Sequence, residues 1–193
     1  SQDQWSEIPV RDGVLWSRAR LTMDGANQTV NVLRLEPDVG WDLQPHLHGG
    51  CKTAAQGMTA IEAFAGVNAN YYSGCTPTDL LKEDGVLHTT NQTTGYSQKT
   101  AGWNTPEQLS FVWLDPGAGW PEVTNAVGGY PSLVTQGTPL AEAVPGEQVW
   151  SATDWAKNPR TILGLDSDGR IVMATFDGRT DAGQGFTTPA LAN

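Results

Sequence analysis

Residues 161–165 and 171–176 are two apolar runs of strand length, separated by Asp166-Ser-Asp-Gly169. Runs of this kind joined by Asp and Gly encode a β-hairpin, because Gly takes up the left-handed backbone that tight turns need. The hairpin commits this part of the chain to antiparallel sheet and also fixes where charge goes. Arg160 enters the first run, while Asp177 and Arg179 leave the second. Entry and exit of an antiparallel pair lie at one end, so these three side chains gather away from the turn. Two planar guanidinium forks beside a carboxylate suit a phosphate or carboxylate ligand. The same trio also reads as a surface Arg–Asp salt bridge.

Short alternating segments recur along the rest of the chain. Residues 14–22 and 28–35 alternate apolar and polar types around Asp24-Gly25, which predicts an opening hairpin. Residues 53–64 carry Met58, Ile61 and Phe64 at helical spacing and read as the one clear helix. Residues 66–72 read as a buried strand ending in a loop. Residues 76–81 read as a short capped helical turn, and Asp84-Gly85 as the turn of another hairpin. Residues 91–104 are polar and predict a surface loop, and 109–114 a strand. Many short strands with one helix predict an α+β fold, mostly antiparallel, with residues 1–193 as a single domain.

Composition narrows the partners. Eleven Lys and Arg against 21 Asp and Glu give a net charge of −10, a surface that repels nucleic acid and anionic lipid. No run of 18 apolar residues predicts a membrane span. The opening Ser1-Gln-Asp-Gln-Trp5 reads as a processed start. An acidic, Lys-poor, Gly- and Trp-rich chain predicts a secreted or extracytoplasmic protein. There its two cysteines, Cys51 and Cys75, favour a disulfide over two buried thiols. Asn27 and Asn91 begin Asn-x-Thr sequons.

Several residues can carry chemistry. On a strand, Asn68 and Asn70 would share a face and Tyr71 the opposite one; they read either as a turn-stabilising pair or as a polar pocket wall. His46 and His48 share a face of an extended segment, as two metal ligands do, but no third ligand is evident, and the sequence implies no cofactor or metal. Of eight tryptophans, Trp103, Trp120 and Trp155 are the candidates for stacking on sugar rings, whereas Trp113 reads as core.

Three blocks, in order, resemble the phosphodiester glycosidase family. Gly66-Val-Asn-Ala-Asn-Tyr-Tyr72 is similar to its A-I-N-G-G-F-F block, and Gly128-Gly-Tyr-Pro-Ser-Leu-Val-Thr-Gln-Gly137 to its G-G-x-P-x-L-V-x-x-G block. The 158–179 hairpin, with its flanking Asn158-Pro-Arg160 and Asp177-Gly-Arg179, is similar to the third. Ala69 and Asn70 replace the two glycines of the first block, which narrows and polarises the backbone approach there. The resemblance implies a hydrolase acting on a sugar in glycosidic or phosphodiester linkage. It implies Asp177 and Asn68 in catalysis, and Arg160, Arg179, Asn70, Tyr71 and Trp155 against the substrate. Glu62 and Asp79 flank the first block as further carboxylates. The family's L-D-G-G-G-S block falls beyond Asn193, so the resemblance also implies a partner: a second chain from the same precursor, following Asn193. Two other readings stay open. One is the α chain of a self-cleaving N-terminal-nucleophile amide hydrolase on this scaffold, the other a non-catalytic glycan-binding module.

Overall fold

A computed structural model describes residues 5–23, 26–91, 96–140, 156–178 and 185–187. In chain order its strands are β1 (Trp5–Arg11), β2 (Val14–Met23), β3 (Ala26–Leu35), β4 (Tyr72–Ser73), β5 (Thr76–Pro77), β6 (Leu81–Glu83), β7 (Val86–Thr89) and β8 (Gln98–Trp103). They continue as β9 (Ser110–Leu114), β10 (Asn125–Gly128), β11 (Val134–Thr135), β12 (Thr138–Pro139), β13 (Arg160–Leu165) and β14 (Ile171–Phe176), and the helix α1 (Ala54–Ala60) lies between β3 and β4. Every named pairing is antiparallel. The fold is α+β and strand-dominated. The chain gathers into two compact units: Ser1–Trp41 with Leu133–Glu142 and Trp150–Asn193, and Asp42–Ser132 with Ala143–Val149.

The first unit is built on a five-stranded sheet ordered β1-β2-β3-β14-β13. Two of its hairpins form where the alternating runs placed them: Met23 pairs with Ala26 across one turn, and Leu165 with Ile171 across the other. Val14, Leu35 and Ile171 stand opposite one another on three neighbouring strands and are all buried. Ala19 and Val30 form a second buried pair of opposite parity, hence on the other face. Gly169 (φ +82) closes the β13–β14 turn, and Asp166 Oδ1 accepts the amides of Asp168 and Arg170, each at 2.9 Å. Arg170 meanwhile pairs with Glu36 and Asp168 at the turn end.

The second unit carries the sheet β7-β6-β10-β8-β9. Asp84 (φ +47) and Gly85 (φ +79) form the predicted turn between β6 and β7; positive φ at both central positions matches the strand twist. Leu80, Val123 and Ala126 are its apolar core, with Leu114 and Trp120 packed on them. Gly102 is required here, since a Cβ would stand 2.4 Å from the Trp120 ring. The Cys51–Cys75 disulfide is formed, joining the segment before α1 to the β4–β5 turn. Closing that 24-residue separation stabilises the fold by roughly 3 kcal/mol in the chain-entropy account.

Four local expectations change. The helix is shorter than 53–64. Thr53 and Gln56 make a capping box, but Glu62 turns left-handed (φ +54) and Ala63 N–H reaches back to Met58 O at 2.9 Å, so the helix ends in a Schellman motif. Ile61 and Phe64 stay exposed. Residues 66–70 are not a strand, because Asn70 is left-handed (φ +60) and its side chain donates to Leu80 O at 2.8 Å. Residues 76–81 hold no helical turn but the short strand β5 and the start of β6: Asp79 accepts Tyr71 N–H and Thr78 N–H donates to Tyr71 O, which closes a hairpin instead of capping a helix. The predicted loop 91–104 contains β8, flanked by β10 and β9, with Gln98, Thr100 and Trp103 buried. Asn91 is buried too, donating to Leu114 O at 2.8 Å, so of the two sequons only Asn27 is exposed.

Candidate functional site

In the first unit the β13–β14 register sets Arg160 opposite Phe176, so Arg160 and Asp177 do share the end away from the turn. Their polar groups serve the backbone there. Arg160 Nε donates to Phe186 O at 3.3 Å and Nη2 to Ala156 O at 3.1 Å. Asp177 Oδ1 accepts the Thr29 amide at 2.7 Å, and the Asp177 amide donates to Thr29 O. Asn158 and Phe186 exchange both backbone hydrogen bonds, and the Phe186 ring meets Phe176 edge-on with centroids 5.1 Å apart.

Glycine makes that knot possible. A Cβ on Gly178 would lie 2.5 Å from Pro159 N, and one on Gly185 (φ +87) 2.4 Å from the Asn158 carbonyl. Gln28, 2% exposed, holds both sides of the Gly185 peptide, donating to its oxygen at 3.1 Å and accepting from its nitrogen at 3.0 Å. The Asn-Pro-Arg and Asp-Gly elements therefore build one close-packed strand end. Arg179 and Trp155 lie outside the described residues.

In the second unit, the two glycine-containing blocks of the sequence converge on Asp79. This residue is 5% exposed. Its Oδ2 accepts Tyr71 N–H at 3.3 Å, the Gln98 side chain bonds the same carboxyl, and Thr89 Oγ1 donates to its carbonyl. Gly128 lies against it, with space for no Cβ, since one would stand 2.7 Å from Asp79 Cβ and 3.3 Å from Gln98 Oε1. Burial raises the Asp79 carboxyl above its ordinary 3.8, against the opposing hydrogen bonds from Gln98 and Tyr71. Among the described residues, Gln98 Oε1 and Asn70 Oδ1 are buried acceptors with no donor. A buried carboxyl whose proton is favoured by desolvation is a candidate for acid–base work.

Asn68, Tyr71 and Tyr72 are exposed, Tyr72 by 70%; the Tyr71 hydroxyl donates to Tyr130 O at 2.7 Å. Trp103 is not a platform: it is buried, with its indole N–H on Leu43 O at 2.6 Å. Trp120 packs into the core, while Trp113, expected inside, is 37% exposed beneath Lys99. A groove of about 540 Å³ runs between residues 76–78 and 87–90, beside Asp79 in the chain and bonded to it through Thr89.

A second polar cluster was only half legible. His46 Nδ1 lies 2.7 Å from Glu83 Oε1, Leu47 N–H donates to Oε2 at 3.2 Å, and His88 Nε2 lies 3.4 Å from Oε2. The His46 and His48 rings meet edge-on with centroids 4.4 Å apart, and His48 packs on Gly57. Burial pushes the Glu83 carboxyl up, but the His46 and Leu47 hydrogen bonds more than offset it and hold it below its ordinary 4.5. Burial first, then His46 and Lys52, lower His48 below 6.5. Among the described residues no group of three or more His, Cys, Asp or Glu is arranged to hold a metal.

Comparison with known proteins places this geometry. A protein of unassigned function from Synechocystis shares the fold with TM-score 0.70 and 14% identity, over 98% of this chain and 55% of that one. The zebrafish N-acetylglucosamine-1-phosphodiester α-N-acetylglucosaminidase catalytic domain, auto-inhibited by pro-peptide, matches with TM-score 0.60 and 14% identity, over 100% of this chain and 71% of that one. The chain thus spans about half the length of the first and under three quarters of the second. A search of curated protein sequences finds no match. The phosphodiester glycosidase pattern, however, matches residues 61–193, which takes in the Asp79 neighbourhood and the 158–178 hairpin: the chain belongs to the phosphodiester glycosidase family.

Proposed function

We propose that this protein is an extracytoplasmic hydrolase that cleaves a sugar from a phosphodiester or other glycosidic linkage, with Asp79 as its proton-holding group. The observation that carries the reading is the convergence of two family blocks on a buried carboxyl: Asn70 and Tyr71 from one, Gly128 from the other. Glycoside cleavage needs an acid that stays protonated near neutral pH. In the step proposed, the bond from anomeric carbon to leaving oxygen breaks as Asp79 passes its proton to that oxygen. Water then adds hydroxyl to the carbon, and its remaining proton restores Asp79.

Within the first unit, Arg160 and Arg179 with Asp177 are the proposed anion-holding group, and within the second Asn68 is a proposed polar contact; the support is the family pattern and the fork chemistry of guanidinium. The Cys51–Cys75 disulfide supports an oxidising compartment. The zebrafish relative's name supplies the first substrate to try, an N-acetylglucosamine phosphodiester. Release of free sugar by the wild type, lost in Asp79→Asn, is the expected result. No release from any sugar phosphodiester or glycoside refutes it.

A further inference from the structure

The histidine cluster has no part in the step above, yet it borders the groove. All three histidines of the chain meet around Glu83: His46 and His88 contact its two oxygens, and His48 stacks on His46. His88 Nε2 faces Glu83 Oε2 at 3.4 Å, and a carboxylate favours a proton on the nitrogen that faces it. The tautomer with Nε2–H toward Glu83 leaves Nδ1 as an acceptor. The Leu47 amide and His46 fix Glu83 from the other side.

His88 lines the groove together with four threonines, Pro77 and Leu87. Hydroxyls that donate and accept, one acceptor imidazole and two apolar faces match a ring that presents O–H groups at its edge and C–H groups on its face. Among the described residues no Lys or Arg lines this groove, so they do not favour an anion there. We propose that the groove is a neutral saccharide subsite in which His88, oriented by Glu83, accepts a hydrogen bond from a sugar hydroxyl. The proposal rests on the reading that this chain acts on a sugar. His88 is the binding residue and Glu83 the positioning residue.

The test is an NMR titration of the full chain, labelled at histidine and threonine, with neutral methyl hexosides that carry no phosphate. The His88 ring and groove threonine methyl signals shift saturably. His88→Ala weakens binding about tenfold, the equivalent of one lost hydrogen bond. His88→Gln, which keeps an acceptor, stays within about threefold of wild type. Glu83→Gln changes the tautomer signature in the His88 ¹⁵N shifts, which a purely structural role for Glu83 leaves alone. Saturable shifts confined to other residues, no saturable binding of any hexoside, or unaltered affinity in His88→Ala each overturn the subsite. Sugar phosphodiester turnover without any effect at His88 removes the subsite and leaves the hydrolase reading. Hexoside binding at His88 without turnover of any substrate does the reverse.

Discussion

Two neighbourhoods built from family blocks use polar groups in opposite ways. At the strand end of the first unit, Arg160, Asp177, Gln28 and Asn158 spend hydrogen bonds on backbone amides and carbonyls of residues 29, 156, 185 and 186. Around Asp79 in the second unit, burial favours the protonated carboxyl, and among the described residues the amide oxygens of Gln98 and Asn70 lack donors. Satisfied polar groups lock a backbone, whereas unsatisfied ones leave bonding capacity open. Motif residues thus serve as scaffold in the first unit, while in the second they surround the carboxyl to which the proposed function assigns the chemistry.

That contrast predicts large stability effects in the first unit. Gly185→Ala puts a Cβ against the Asn158 carbonyl at a left-handed φ and costs about 4 kcal/mol in chemical denaturation. Gln28→Ala leaves both sides of the buried Gly185 peptide unpaired and costs about 3 kcal/mol by the same measurement. Arg160→Lys loses the fork that reaches Ala156 O and Phe186 O and costs about 1–2 kcal/mol, so its activity must be read against its stability. Equal stability of wild type and Gly185→Ala breaks the scaffold half of the comparison.

The smallest effect is pH dependence in the second unit, read by hydrogen exchange of β6 and β7. His48 is depressed below 6.5 in the fold, so the unfolded chain binds the proton first and stability falls as pH drops below 6.5. Glu83 is depressed below 4.5; its contribution is present above 4.5 and is lost as pH falls through the folded value. Asp79, raised above 3.8, works the other way, its burial weighing on the fold as pH rises past 3.8. His48→Gln removes the upper of these acid losses; an unchanged protection profile between pH 7 and 5 sharpens the assignment against His48.

Hairpins were readable because periodicity and turn residues are local: Asp84-Gly85 and the 161–176 runs needed nothing from the rest of the chain. The non-edge strand β8 was not, because Gln98 and Thr100 look like surface and become interior only between β10 and β9. Asp79 was legible as a carboxylate near a motif but not as the hub, since its partners come from positions 71, 89, 98 and 128. His88 lies far from His46 and His48 in sequence, and only the β6–β7 pairing brings it beside Glu83. The tryptophans misled for the same reason: a ring in turn-rich sequence, such as Trp120, can still turn inward.

The central claim is that reactivity resides at Asp79 and that its carboxyl is a cost to the fold. Asp79→Asn, nearly isosteric, tests both at once when denaturation midpoint and sugar release are measured on the same preparation. The account predicts an unchanged or higher midpoint, because the penalty that burial sets on ionising this carboxyl above pH 3.8 disappears, with turnover reduced about 10²- to 10⁴-fold as for loss of a general acid. A variant that turns over at the wild-type rate, or that loses activity only because it unfolds, contradicts the account.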